Sequence, residues 1–191
     1  TGFVTGESGT VLKTTDSGST WTLIPTPVTS RLYGVHFTDD TTGVIVGWNG
    51  TILRTTDSGD SWSLISTSIT ANLQDVHFID ANTGFASGGV MAKTTDGGLT
   101  WNQVYSAAND YFYVVHVNPN GQGYAAGNGG VFIKTSNFGQ TWQSQPDLGE
   151  GDIFCGDHVS DNAAYMMGKL NIHKSSNSGS SWTVIKNAIQ G

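Results

Sequence analysis

The sequence predicts an all-β chain of repeated units, each a blade of four antiparallel strands, together forming a β-propeller. Three observations predict it. Trp21, Trp62, Trp101, Trp142 and Trp182 recur at separations of 41, 39, 41 and 40 residues, a period at which no unit buries its apolar face without a neighbour. Each of these tryptophans closes the same kind of turn, written KTTDSGSTW, RTTDSGDSW, KTTDGGLTW, KTSNFGQTW and KSSNSGSSW. Between the turns run short apolar segments rich in Val, Ile and aromatics, split by Gly, Asn and Asp, which is the pattern of strands. No stretch keeps a 3.6-residue apolar period, so essentially no helix is expected.

Each unit supplies its strands in a fixed order. The first strand reads RLYGVHF, NLQDVHF, FYVVHV and FCGDHV; the second TGVIVG, TGFASG, GQGYAAG and NAAYMMG; the third GTVLK, GTILR, GVMAK, GVFIK and NIHK; the fourth follows the Trp. This divides a single propeller domain, 1–191, into blades of about 1–30, 31–71, 72–110, 111–151 and 152–191. Thr1-Gly2-Phe3-Val4-Thr5-Gly6 aligns with Thr42-Gly43-Val44-Ile45-Val46-Gly47, so five blades are expected, the first lacking its first strand. Three arrangements accommodate that gap: a piece of a longer propeller, a five-bladed ring with the NAIQG tail as substitute strand, or a strand supplied by another chain at the unpaired edge.

The turns explain themselves by local chemistry. Asp16, Asp57, Asp96, Asn137 and Asn177 stand five residues before the Trp, where a short polar side chain accepts bonds from nearby backbone N–H groups. Gly18, Gly59, Gly98, Gly139 and Gly179 stand three before it and permit positive φ. Trp21, Trp62, Trp101, Trp142 and Trp182 then fill the space between adjacent units. Five copies at one register serve the repeat and not a single active site.

These residues carry a resemblance. The turn is similar to that of the Asp-box, or bacterial-neuraminidase-repeat, propellers, and VHF…TGVIVG…GTILRTTDSGDSW most resembles the photosystem II stability and assembly factor-like repeats. The likeness covers nearly the whole chain. It implies the propeller fold but little about activity, because similar repeats occur in many secreted bacterial proteins, sialidases and glycoside hydrolases. The last two boxes depart from the pattern with Asn in place of Asp, and the third unit drops two residues at SGGVMAK.

Composition narrows the partners. Eight basic residues face 15 acidic ones for a net charge of −7, and charged residues make up 12%, against about 25% in an ordinary domain. Such a chain suits neither nucleic acid nor anionic membranes. No apolar run reaches the ~20 residues of a spanning helix, so no membrane insertion is expected. Cys155 is alone, which rules out an intrachain disulfide and a cysteine metal cluster. The Ser, Thr, Asn and Gly content fits an extracellular or cell-surface location, with the periplasm as second choice.

Two further columns run through the repeat. Lys13, Arg54, Lys93, Lys134 and Lys174 stand three residues before the Asp or Asn. They read either as a binding patch, as the resemblance also implies, or, preferably, as stems laid along each blade with the ammonium paired to a nearby Asp. His36, His77, His116 and His158 share a position in the first strand, the one nearest a propeller axis. They are weak candidates for a transition-metal site; hydrogen bonding between blades is the preferred reading. His173 lies outside this column.

Catalysis is not expected, nor a cofactor. The sialidases that resemble the chain in their turns grip a carboxylate with three arginines, and this sequence has only Arg31 and Arg54. Of the carboxylates outside the boxes, Asp39, Asp40, Asp75, Asp80, Asp110, Asp147, Glu150, Asp152, Asp157 and Asp161, no pair stands out as the two a glycosidase needs. Candidate binding residues are the aromatics that break the repeat: Trp48 in GWNG, and Tyr111 and Tyr113 in the run Asn109 to Tyr113, suited to stack on a sugar or anchor a protein. Asn49-Gly50-Thr51 is a glycosylation acceptor triplet. The sequence therefore reads as a non-catalytic scaffold for a protein or glycan partner. A filament or array subunit joined by strand exchange at the first blade is the alternative, and a glycan-processing domain the third reading.

Overall fold

The computed structural model describes residues 1–146, 148–149, 151–158, 163–177, 179 and 181–187, with the backbone alone at 158, 186 and 187. Asp147, Glu150, Asp161 and the end of the NAIQG tail lie outside the described residues. The chain is all-β. Its only helical segments among the described residues are three-residue 3₁₀ turns, Glu7–Gly9, Trp48–Gly50 and Asn128–Gly130.

Five antiparallel sheets follow one another along the chain. The first has three strands, β1 (Gly2–Thr5), β2 (Val11–Thr14) and β3 (Thr22–Ile24). The second has four, β4 (Leu32–Phe37), β5 (Gly43–Gly47), β6 (Ile52–Thr55) and β7 (Ser63–Leu64). The third comprises β8 (Leu73–Phe78), β9 (Gly84–Gly88), β10 (Met91–Thr94) and β11 (Asn102–Tyr105). The fourth comprises β12 (Phe112–Val117), β13 (Gly123–Gly127), β14 (Phe132–Thr135) and β15 (Gln143–Ser144), and the fifth β16 (Ile153–His158), β17 (Ala164–Gly168), β18 (Asn171–Ser175) and β19 (Thr183–Asn187). In every sheet the strands pair in sequence order, as hairpin connections demand. The all-β class, the four-stranded blades and the three-stranded first blade are those the repeat predicts.

The chain divides into two compact units, Thr1–Ala86 with Lys93–Asn102, and Ser87–Ala92 with Gln103–Gly191. In the first, Val11, Leu32, Ile45, Leu53 and Trp62 form a core joined by Phe3, Ile24 and Phe37. Trp62 meets Phe3 of the preceding blade edge-on at 6.2 Å and Phe37 of its own at 5.9 Å. In the second unit Val114, Tyr124, Ala126, Phe132, Ile153 and Met166 form the core. Trp182 stands edge-on to Tyr124 at 5.7 Å and Phe132 at 6.0 Å, both on the preceding blade. The tryptophan of one blade thus seats on the second and third strands of the blade before it. Each such edge contact adds about 0.5–1.5 kcal/mol to the burial itself.

Candidate functional site

The box turns are closed hydrogen-bonded units. Asp57 Oδ1 accepts from Ser61 N at 3.0 Å and from Thr55 Oγ1 at 2.6 Å, and its Oδ2 accepts from Ser61 Oγ at 2.6 Å. Thr55 Oγ1 in turn accepts from Gly59 N at 3.0 Å. Asp16 repeats the set with Thr14 and Thr20, and Asp96 with Thr94 and Thr100. Donation by the Thr20 N–H and then the Thr20 hydroxyl holds the Asp16 carboxyl down at about 2, while the Ser61 and Thr55 hydroxyls hold Asp57 well below the usual carboxylate range. Asn137 and Asn177 close the same turn, accepting at Oδ1 from Thr141 N and Ser181 N. Gly18, Gly59, Gly98, Gly139 and Gly179 all take positive φ. These groups are bonded within the turn that they close.

The basic column lies along the blades. Lys13 pairs with Asp60 at 2.6 Å and lies 5.8 Å over Phe3. Arg54 Nε donates to Gly97 O at 2.8 Å. Lys93 and Lys174 lie over Phe85 and Tyr165 at 5.6 and 5.8 Å. Lys134 lines a 260 Å³ cleft with Gln122, Thr141, Gln143 and Gln145. Burial pushes the ammonium groups of Lys93 and Lys134 below their ordinary value. A carboxylate partner is thus in place at Lys13, and Lys13, Lys93 and Lys174 all lie over aromatic faces.

The first-strand column differs from its sequence reading at one blade. His36 pairs across the hairpin with Val44, and His116 with Tyr124. In the last blade it is Asp157 that pairs with Tyr165, while His158 faces Ala164. The column therefore runs His36, His77, His116, Asp157, and His158 takes the place of Phe37 and Val117. The signal was in the sequence: eight residues separate His36 from Val44, His116 from Tyr124, and Asp157 from Tyr165. Within the first unit His36 and His77 lie edge to face at 5.4 Å, and burial pushes the His36 imidazole below its ordinary value. In the second, His116 Nδ1 lies 3.6 Å from Asp157 Oδ1. Among the described residues no three His, Cys, Asp or Glu side chains converge in a metal-holding group. His173 is buried in β18.

The aromatic candidates do gather partners. In the second, fourth and fifth blades the turn after the second strand bonds to the residue leading into the first: Trp48 N donates to Arg31 O, Asn128 N to Tyr111 O and Lys169 N to Asp152 O, all at 2.9 Å. A bulge then interrupts the first strand, between Leu32 and Val35, Phe112 and Val114, and Ile153 and Cys155. Bulges re-aim side chains, and the residues they carry are Tyr33, Tyr113 and Phe154.

Two clusters result, one in each unit. In the first, the Arg31 guanidinium lies 5.1 Å from the Tyr33 ring centre and 6.0 Å from that of Trp48, and its Nε pairs with Glu7 at 2.8 Å. Trp48 is 43% exposed. In the second, Tyr113 stacks on Phe154 at 6.0 Å and meets Tyr111 at 5.5 Å. Phe154 is 51% exposed. Burial, with the Asp152 carboxylate adding to it, raises the Tyr113 phenol above its ordinary value. Asn128 braces this cluster, accepting from Tyr111 N at 2.7 Å and donating to Asn109 O at 3.1 Å. Asn109 and Asn128 also line an adjoining cleft of 390 Å³.

Arg31, Tyr33 and Phe154 escape sequence reasoning because each stands inside the repeat pattern, Tyr33 and Phe154 at the bulges and Arg31 just before the strand that carries one. Asn49 is exposed in its turn, whereas Thr51 of the same triplet is buried. Outside the boxes, Asp39 accepts from Thr41 N and Thr42 N, and Asp80 from Asn82 N and Thr83 N, each at 2.7 Å. These carboxylates are turn-makers too.

Solved propellers share this architecture. The chain is similar to a structure described as YCF48 bound to D1 peptide, at 16% identity and a TM-score of 0.59 over 85% of this chain and 84% of that one. It is similar to YCF48 from Cyanidioschyzon merolae, at 18% identity and 0.67 over 86% and 60%. An ancestral GH74 enzyme superposes at 17% identity and 0.77 over 99% of this chain, which spans only 30% of the enzyme. At these identities the likeness shows the fold alone. Among curated proteins no sequence matches. The family model of the photosynthesis system II assembly factor YCF48 matches residues 56–191; with more than half of its length so matched and every box turn built alike, the chain belongs to that family of bacterial-neuraminidase-repeat propellers.

Proposed function

We propose that the chain is a non-catalytic scaffold that holds an extended segment of a protein partner on its exposed aromatic clusters, at the cell surface or outside the cell. The observation that carries this reading is the Tyr113–Phe154 stack, one ring half-exposed and the whole braced by Asn128. Rigid, preplaced aromatic faces with flanking amide and carboxylate groups anchor peptides at small entropic cost. The family supports the reading, since the neighbour described as bound to D1 peptide is a peptide-holding propeller of this kind. The non-catalytic part rests on the box carboxylates being bonded within their turns and on the two arginines, Arg31 on Tyr33 and Arg54 on Gly97 O, being engaged.

Selection from a random displayed peptide library tests it. Enriched peptides are expected to bind the chain and to lose binding to Phe154→Ala and Tyr113→Ala, both of which keep the wild-type melting curve. Enrichment that ignores these substitutions, or turnover of β-glucans or sialosides by the purified chain, would sink the reading. Cell fractionation with an antibody to the chain tests the location.

A further inference from the structure

Two blades of the chain build the same cleft and fill it differently. In the first blade Phe3, Lys13 and Thr22 pair across the sheet, and in the fourth Tyr124, Lys134 and Gln143 do so. Each row lies on the face that the next tryptophan covers, Trp62 against Phe3 and Trp182 against Tyr124. At each row lies a cleft, of 190 Å³ at Lys13 and 260 Å³ at Lys134. Thr15, Thr20 and Thr22 line the first, and Ser136, Thr141 and Gln143 stand at the same positions in the second.

The first cleft holds its own carboxylate. Asp60, three residues after the box Asp57 of the next blade, lines it and pairs with Lys13 at 2.6 Å. Its counterpart in sequence, three residues after Asn177, is Ser180, which carries no charge. Among the described residues no side chain bonds to Lys134, nor to the side-chain amides of Gln122 and Gln143 that line the cleft with it. Lys134 is partly buried, and burying an ammonium without an anion is unfavourable. The second cleft is thus built as the first is, with the cation in place and the carboxylate missing.

We infer that the Lys134 cleft binds an Asp or Glu side chain of a protein partner, whose carboxylate takes the place that Asp60 takes at Lys13. The ammonium supplies the charge, and the Gln122 and Gln143 amides offer donors to the remaining lone pairs of a carboxylate. A protein segment is favoured over an acidic sugar because an amino-acid side chain fills the equivalent cleft. Position favours it as well, since Gln145 lines both this cleft and the 390 Å³ cleft of Asn109 and Asn128 beside the aromatic cluster. Phe132 lines the one and Lys134 the other, two residues apart on one face of β14, a span of about 7 Å at ~3.3 Å per residue. That the carboxylate belongs to a protein segment rests on the proposed function; that the cleft takes a carboxylate does not.

Proton–nitrogen correlation spectra, in which glutamine side-chain amides resolve, test the site with N-acetylglutamate N-methylamide, its glutamine analogue and methyl β-glucuronide. The glutamate probe is expected to shift the Gln122 and Gln143 amides saturably at millimolar concentration. The glutamine analogue is expected to bind about tenfold more weakly, for want of the charge, and the glucuronide more weakly than the glutamate probe. Lys134→Met keeps the apolar stem, and Gln143→Glu sets a carboxylate opposite Lys134 at an exposed position. Each is expected to lose the binding, with a dispersed spectrum showing that it has folded. Asp60→Ala empties the first cleft and is expected to gain a second site, seen at Thr20 and Thr22. Phe154→Ala, which tests the aromatic cluster, is expected to leave the probe's shifts unchanged, so that the two readings fail separately. The inference is overturned by equal shifts from the glutamate and glutamine probes, by binding that survives both Lys134→Met and Gln143→Glu, or by tighter binding of the glucuronide. An Asp60→Ala chain without a second site overturns it too.

Discussion

The side-chain amide of Asn137 donates to Thr141 Oγ1 at 2.9 Å, whereas Asp16 accepts from Thr20 Oγ1 at 2.7 Å. One turn geometry is thus fastened with opposite bond polarity in different blades. The Thr hydroxyl rotates to suit either partner, so the turn tolerates both residues. The carboxylate version alone carries a proton equilibrium that is coupled to folding.

That coupling sets the first prediction. The Asp16 carboxyl is held at about 2 against an ordinary 3.8, so the unfolded chain takes up the proton first as the pH falls. The stabilisation from this group is complete above 3.8, declines as the pH falls toward about 2, and is gone below that. Asp16→Asn is expected to keep the fold at neutral pH and to reduce the loss of stability in that window. Urea midpoints measured at neutral pH and within the window check it; an unchanged pH dependence in the variant would count against the turn as the source.

The neutral boxes predict a different response. Asn137 accepts from Thr135 Oγ1 at 3.0 Å and Thr141 N at 3.0 Å while donating to Thr141 Oγ1. Asn137→Ala removes all three bonds at a half-buried site and is expected to cost about 1–2 kcal/mol. Asn137→Asp reinstates the carboxylate pattern and is expected to match the wild type at neutral pH while adding acid sensitivity. Thermal melts of both variants decide the matter, and equal losses would show that the bond pattern is not what the turn requires.

Gly59 offers a steric test. Its φ is +77°, and a Cβ there would meet Phe3 Cε1 at 2.4 Å and Phe37 Cζ at 3.3 Å, in the core that seats Trp62. Left-handed backbone costs a non-glycine residue about 1–2 kcal/mol, and overfilling a packed core about 1–3 kcal/mol more. Gly129 has a φ of +57° and open space around it, so Gly129→Ala is expected to show the backbone cost alone. Gly59→Ala should therefore lower the denaturation midpoint well beyond Gly129→Ala; comparable shifts would mean that the Phe3–Phe37 stack gives way freely.

The contrast between turns and clusters explains what was readable in the residues themselves. The boxes are legible because Asp16 and Thr20, or Asn137 and Thr141, are four residues apart and their chemistry is local. Trp62 on Phe3 is legible as a kind of contact, since a periodic Trp needs a neighbouring blade, although the period does not say which strand receives it. Asp157 was hidden because His158 carries the same letter as His36 and His116, and only the count to Tyr165 corrects the register. The Tyr113–Phe154 stack was out of reach, since it depends on two bulges in separate blades re-aiming residues that are distant in sequence.

His36 gives the last prediction. The ring lies beside His77 at 5.4 Å and stacks on Phe78 at 5.7 Å, and burial among these rings disfavours the imidazolium, lowering its pKa from 6.5. The unfolded chain therefore binds a proton that the folded chain refuses. Stability from this group is complete above 6.5, falls as the pH drops from 6.5 toward the lowered folded value, and changes no further below it. His36→Phe removes the proton equilibrium while keeping an aromatic surface against Phe78, and is expected to flatten the stability profile on the acid side of 6.5 with little change above it. Denaturant midpoints across this range, alongside the imidazole proton shifts of the wild type, measure both sides of the linkage. A profile that falls equally in the variant would assign the loss to another group, His77 being the first to examine.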